Sequence, residues 1–257
     1  KREPLLEDMR NPVNVARVLD ASPTDVVIHL AASVGRLFGE DDLAETIADN
    51  AGMTAVVARA CGERGVPLAY ASTSEVYGDQ GDATCSEDGP LELPHNLYGL
   101  SKRWGEDACR LYAPDRLAVF RFSMPYGPGL PPGRGRAALV NFLWNARRRE
   151  PLAVHRGSER SWCWVGDACR AVRLVLEEGL GGVWNVGRDD NAVLMRAVAE
   201  MACDLVGAPR SLILEVDAPA RQTVVKRLST GKVRALGWHP QVELAEFGQR
   251  GGRAFLG

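Results

Sequence analysis

Unbroken apolar runs at "VVIHLAAS" from Val26, at "PLAYAST" and at "LAVFRFS" have the length and composition of strands buried on both faces. Between the first two lies "DDLAETIADNAGMTAVVARACGERG", helical in period and closed by a C-terminal stop signal at Gly65. Between the second and third come a long loop and the helical stretch "NLYGLSKRWGEDACRLYA". This alternation predicts a doubly wound parallel α/β sheet, in which ligands sit beyond the carboxyl ends of the strands. After "MPYGPGLPPGRGR" the rhythm changes, because Gly and Pro from Pro125 to Gly135 mark a long loop. A helix at 137–148, a strand "PLAVH", a helix from Asp167, a strand "GVWNVG" and a last helix and strand at 192–216 then suggest a smaller mixed α/β lobe. The expected division is 1–123 for the sheet domain and 124–257 for the lobe, with some of the latter returning to the sheet.

The strand "PLAYAST" ends in "STSEVYGD", so Ser72, Thr73, Ser74 and Glu75 fall where a parallel sheet opens into a cleft. Downstream, Tyr98 and Lys102 of "YGLSK" stand four apart, one turn apart on one helical face. An ammonium beside a phenol favours the phenolate and lowers its pKa, which turns Tyr98 into a proton acceptor.

Composition removes several alternatives. The 31 Lys and Arg nearly balance the 33 Asp and Glu, with no basic tract to follow a nucleic-acid backbone. The Arg-dense patch at 147–149, with Arg134, Arg136, Arg156 and Arg160 nearby, is a solvated face from which one or two residues could serve an anion. No apolar run approaches the roughly 20 residues of a membrane helix. Six cysteines lack CxxC spacing and read as reduced thiols of a cytoplasmic protein, and no metal is assigned. His29 lies mid-strand as a core histidine, Trp162, Trp164, Trp184 and Trp238 read mainly as core, and Asp167 reads as a helix N-cap.

The ordered set "HLAA", "STSEVYGD", "YGLSK", "YGPG", "RSWCWVGDACRAV" and "LGWHP" resembles the NAD-dependent epimerase/dehydratase family, extended short-chain dehydrogenase/reductases that remodel nucleotide sugars. The resemblance implies a Rossmann-type domain, NAD as cofactor (NADP remaining open), a nucleotide-diphosphate sugar as substrate and a homodimer. It makes Tyr98 the base for a sugar hydroxyl, Lys102 the residue that holds the nicotinamide ribose, Thr73 a hydrogen-bond partner of the same sugar hydroxyl and Glu75 a group acting on the oxidised intermediate. Asp8 and Met9 would flank the adenine, Leu30, Ala31 and Ala32 the pyrophosphate and ribose, with Ser72 and Pro125 also at the cofactor and Asn50 in the following helix. Ser74, Met124, Arg160 and Arg221 would face the substrate. Three departures stand out: no G-x-x-G-x-x-G loop is present, so a preceding βα segment of roughly 50 residues is expected to be missing from the chain. Met124 replaces the family's Asn, and Ser74 replaces the acidic residue of sugar 4,6-dehydratases. Epimerase and UDP-glucuronate-type decarboxylase therefore stand level, with a dehydratase or a catalytically silent nucleotide-binding relative as alternatives.

Overall fold

A computed structural model describes residues 6–35, 40–113, 115–128, 138–190, 192–219 and 222–246. Helix α1 (Pro12–Asp20) starts where the Asn11 side chain accepts the N–H of Val13 and Pro12 supplies a preset φ. Strand β1 (Val27–His29) follows. The expected single helix after it is α2 (Leu43–Ile47), a π-helical turn (Ala48–Gly52) and α3 (Met53–Arg64) in unbroken succession. Gly65 ends α3 at φ +63°, a left-handed conformation that glycine adopts without a Cβ penalty.

Next come β2 (Leu68–Thr73), β3 (Thr84–Cys85), α4 (Leu97–Tyr112) with Asn96 as N-cap, β4 (Leu117–Phe122) and β5 (Pro125–Tyr126). The remainder holds α5 (Ala138–Arg147), β6 (Leu152–His155), β7 (Glu159–Ser161), β8 (Cys163–Trp164), α6 (Val165–Glu177) and β9 (Gly182–Val186). It closes with β10 (Ala192–Leu194), α7 (Met195–Val206), β11 (Ile213–Val216), β12 (Val225–Leu228) and the short α8 (Gly231–Arg234). Strand β12 was not anticipated, since the charges in "VVKRL" hide it.

The main sheet has order β1-β2-β4-β9, parallel throughout, with Thr73 opposite Phe122 and Phe122 opposite Val186. Its strands alternate their side chains between two apolar layers. Leu68, Tyr70, Leu117 and Val119 pack with α1, α3 and α4, whereas Ala69, Ala118, Phe120 and Trp184 pack with α6 and α8. Helices thus cover both faces, as a doubly wound sheet requires. A mixed sheet, order β10-β7-β12-β3, joins residues far apart in sequence, Arg227 lying opposite Thr84. A third apolar core forms between α5 and α7 over the β11-β6 pair, built on Leu139, Phe142, Leu152 and Trp162.

One local expectation is corrected. Asp167 is not an N-cap, because α6 begins at Val165 with Trp164 in the cap position. Fully buried in the first turn, its carboxylate accepts the N–H groups of Gln241 and Val242 at 2.9 and 3.1 Å and pairs with Arg170 at 2.6 Å, fastening the C-terminal loop. Trp162, Trp184 and Trp238 are buried as expected, and Trp164 is half-buried, edge-on to Tyr126.

Candidate functional site

Because the four strands of the main sheet run the same way, the end of β2 brings Ser72 and Thr73 to its carboxyl edge, against α4. Thr73 is 8 % exposed, and its Oγ1 accepts the N–H of Glu75 at 3.3 Å, which turns the chain into a short 3-10 helix (Ser74–Tyr77). The same side chain acts on the Tyr98 hydroxyl and favours its ionised form. Capping and facing a partner are therefore one role at this threonine. Gly99, beside Tyr98, lets the turn approach, since a Cβ there would lie 3.0 Å from the Glu75 Cβ and carbonyl oxygen.

Burial pushes the Tyr98 phenol up to about 12, with the Thr73 hydrogen bond opposing and the negative Glu75 adding to the rise. This corrects the expected electrostatics, in which the Lys102 ammonium lowers the phenol. Lys102 lies 2 % exposed, with Nζ 4.2 Å from the centroid of the Tyr70 ring, and it makes no ion pair with a described residue. Burial brings it down to about 8, partly offset by Cys109 and Glu106.

Glu75 is the centre of charge in the cleft. Its Oε1 lies 2.9 Å from Lys226 Nζ and its Oε2 accepts from Asn96 Nδ2 at 3.1 Å, the Lys226 side chain being 1 % exposed. Lys226 comes from β12, more than a hundred residues away in sequence, and was missed. In β12, Lys226 and the fully buried Leu228 share a face, so the lysine points inward. Ser74 is buried in the turn.

On the cofactor side, Asn50 clamps the segment that carries Leu30, Ala31 and Ala32. Its Oδ1 accepts from Ser33 N at 2.8 Å, while its Nδ2 donates to Ser33 O at 2.9 Å and to Ser101 Oγ at 3.0 Å. Thr54 Oγ1 donates to Asn50 O at 2.7 Å and so must accept from His29 Nε2, 3.0 Å away, which fixes the proton on Nε2. Leu30 is 65 % exposed, Ala31 exposed and Ala32 half-buried. A cavity of about 380 Å³ lies beside them, lined among others by Met9, Val15, Ile28 and His29. Asp8 is exposed and ion-paired with Arg10 at 3.0 Å. Pro125 is exposed at the start of β5.

Three further expectations change. The Ser72 hydroxyl donates to Glu106 Oε1 at 2.5 Å inside the protein. Met124 adopts φ +28°, unusual for a residue with a Cβ, and packs, half-buried, against the apolar core of the second half. Arg160 is 4 % exposed, and its guanidinium donates to the carbonyls of Glu159, Thr223 and Val224, so it positions the segment after residue 221 instead of offering a free fork to phosphate. Arg221, Arg134 and Arg136 lie outside the described residues.

Among the described residues no helix is long and apolar enough to cross a membrane, and all six cysteines are free thiols. Comparison with known proteins gives consistent matches. The low-salt glycan biosynthesis protein Agl12 of Haloferax volcanii is 31 % identical over 176 residues, covering 66 % of this chain and 55 % of that protein. UDP-glucuronic acid decarboxylase 5 of Arabidopsis thaliana is 26 % identical over 253 residues, covering 95 % of this chain and 72 % of its own. The chain thus spans about half to three quarters of the length of these curated relatives. The crystal structure of DesIV, a dTDP-glucose 4,6-dehydratase from Streptomyces venezuelae with NAD and TYD bound, superposes with a TM-score of 0.87 at 25 % identity, over 97 % of this chain and 78 % of that one. The family model described as the NAD dependent epimerase/dehydratase family matches residues 5–187, most of the chain, and the protein belongs to that family.

Proposed function

We propose that the protein is an NAD-dependent enzyme that oxidises a carbon of a nucleotide-linked sugar, most simply C4, and that its substrate is a hexuronate whose carboxylate is then lost. The carrying observation is the strand-end cluster: Thr73 at the end of β2, acting on the Tyr98 hydroxyl, beside the ion pair of Glu75 and Lys226. Tyr98 takes the proton of the sugar hydroxyl and Thr73 orients that hydroxyl.

The residues present fit a dinucleotide. Lys102 is a buried cation without a carboxylate partner among the described residues, suited to ribose hydroxyls, and the Asn50 clamp fixes the backbone at Ser33. The apolar cavity by Met9 and Leu30 suits a flat base. When bound, NAD supplies the acceptor and later donor of hydride. A sugar ketone beside a carboxylate-bearing carbon is a β-keto acid, which sheds carbon dioxide without an acid catalyst. Dehydration would need an acid for the leaving hydroxyl, and Ser74 supplies only a weakly acidic hydroxyl. Decarboxylation is also supported by the relative that spans 95 % of this chain, a UDP-glucuronic acid decarboxylase. Epimerisation shares the first step and is the second reading, supported by "YGLSK", the epimerase form of the tyrosine motif.

Residues 124–257 act mainly as the sugar-nucleotide side, with Lys226 reaching into the cleft. The enzyme works in a reducing, cytoplasmic setting as a homodimer. Its free thiols support the first, and Trp104 and Leu111, exposed seven residues apart on α4, support the second. Mass spectrometry of products from UDP- and dTDP-linked glucose, N-acetylglucosamine and glucuronate tests the reading. Loss of carbon dioxide from the glucuronate is expected. Loss of water from a neutral sugar contradicts it, and unchanged mass with a new sugar selects epimerisation.

A further inference from the structure

Apart from the cleft, Glu106, fully buried on α4, is among the most heavily bonded buried groups of the described residues. Its Oε1 accepts from Ser72 Oγ at 2.5 Å and Arg121 Nε at 2.9 Å, and its Oε2 from Arg121 Nη2 and Arg110 Nη2, both at 2.8 Å. Arg121, 2 % exposed on β4, lies 4.7 Å over the Tyr77 ring, and the Tyr77 hydroxyl donates to Asn185 Oδ1 at 2.8 Å. Asn185, at the end of β9, donates from Nδ2 to the carbonyls of Cys85 and Ser229, the latter three residues beyond Lys226.

Three geometric facts select a role. Tyr98, Lys102 and Glu106 stand at successive turns of one helix face. Ser72 immediately precedes Thr73, so its bond to Glu106 ties the strand end carrying one hydroxyl to the helix carrying the other. The chain of contacts then reaches β12, whose Lys226 closes on Glu75 from the opposite wall. A buried ion pair adds little net stability over an apolar pair of the same size, so stability alone is a weak reason for this one.

We infer that Glu106, held by Arg121 and Ser72, is a positioning residue that sets the register of α4 against the end of β2 and so aligns Tyr98 and Lys102 with Thr73. The inference rests on the oxidative reading above, and one arm of its test does not. The carboxylate's charge also acts on its neighbour a turn back, since Glu106 is one of the two groups that raise the Lys102 pKa against burial.

The experiment compares Glu106→Gln and Ser72→Ala with the unaltered protein, and with Arg110→Ala, which removes only the half-exposed partner. In Glu106→Gln, kcat on the panel substrate should fall about tenfold or more while KM stays within about threefold. Independently of turnover, the Lys102 titration followed by NMR with 13C-labelled lysine should move to lower pH. Ser72→Ala, which deletes one hydrogen bond, should lower kcat several-fold with an unchanged Lys102 titration, and Arg110→Ala should leave kcat within about twofold. A folded Glu106→Gln with unaltered kcat overturns the inference. If the unaltered protein turns over no panel substrate, the oxidative reading fails and the NMR arm still decides: an unmoved Lys102 titration overturns the inference. Should Glu106→Gln not fold, unchanged kcat in Ser72→Ala overturns it.

Discussion

Two regions that the sequence assigns to one site are built in opposite ways. At the end of β2, Ser72, Thr73, Glu75, Lys102 and Glu106 are buried or nearly so, and their contacts reach across the whole fold. At Asp8, Met9 and Leu30–Ala32 the residues are largely open, and Asp8 binds only its neighbours on the surface. The first region is preorganised by partners distant in sequence. In the second one buried asparagine holds the backbone of Ser33, and the Asp8 carbonyl accepts from Asn11 and Asn14, its near neighbours in sequence. Chemistry that needs charges in fixed relation belongs at the first, while the second offers surface and backbone for a ligand to lie on.

Substitutions can break that contrast. Lys226→Met removes the cation from the largely buried Glu75, and unfolding by denaturant should show a loss of about 3 kcal/mol, largely restored in Glu75→Gln/Lys226→Met. A loss comparable to that of a surface pair would mean that the first region is no more interlocked than the second. Acid should act next. Burial, with help from the Lys102 charge, lowers His29 to about 4, below its ordinary 6.5 in the unfolded chain. The unfolded state then binds the proton first, so stability is constant above about pH 6.5 and falls as the pH drops toward 4, by about 2 kcal/mol at pH 5. Melting curves from pH 7 to 5 check this, and the slope should be shallower in His29→Gln. Asn50→Ala, which strips both Ser33 backbone groups of their partner, should cost about 1.5 kcal/mol. Asp8→Ala should stay within about 0.5 kcal/mol, since its ion pair is solvent-exposed.

The main sheet was legible because its strands are continuous apolar runs, and the helix of Tyr98 and Lys102 because a cap, a period and a motif coincide there. Less visible were groups whose meaning depends on a partner far along the chain. Strand β12 pairs with β3 and β7 across long separations, and no local pattern announces such register. Lys226 was therefore not singled out, and Arg160 reads as a phosphate ligand although three of its N–H groups go to carbonyls. Glu106 was traceable as the third member of an i, i+4, i+8 series, yet its burial depends on Arg121 fifteen residues on. The tyrosine's acidity was misjudged for a similar reason: spacing puts Lys102 on the same face as Tyr98, but the ammonium turns toward Tyr70.

The proposal that Tyr98 is the proton acceptor for a sugar hydroxyl stands or falls on turnover by Tyr98→Phe. With NAD and the best substrate of the panel, Tyr98→Phe should be a folded protein whose kcat is down roughly a thousandfold, because one general base is removed and the ring remains. Turnover within about threefold of the unaltered protein, at equal fold and stability, would contradict it.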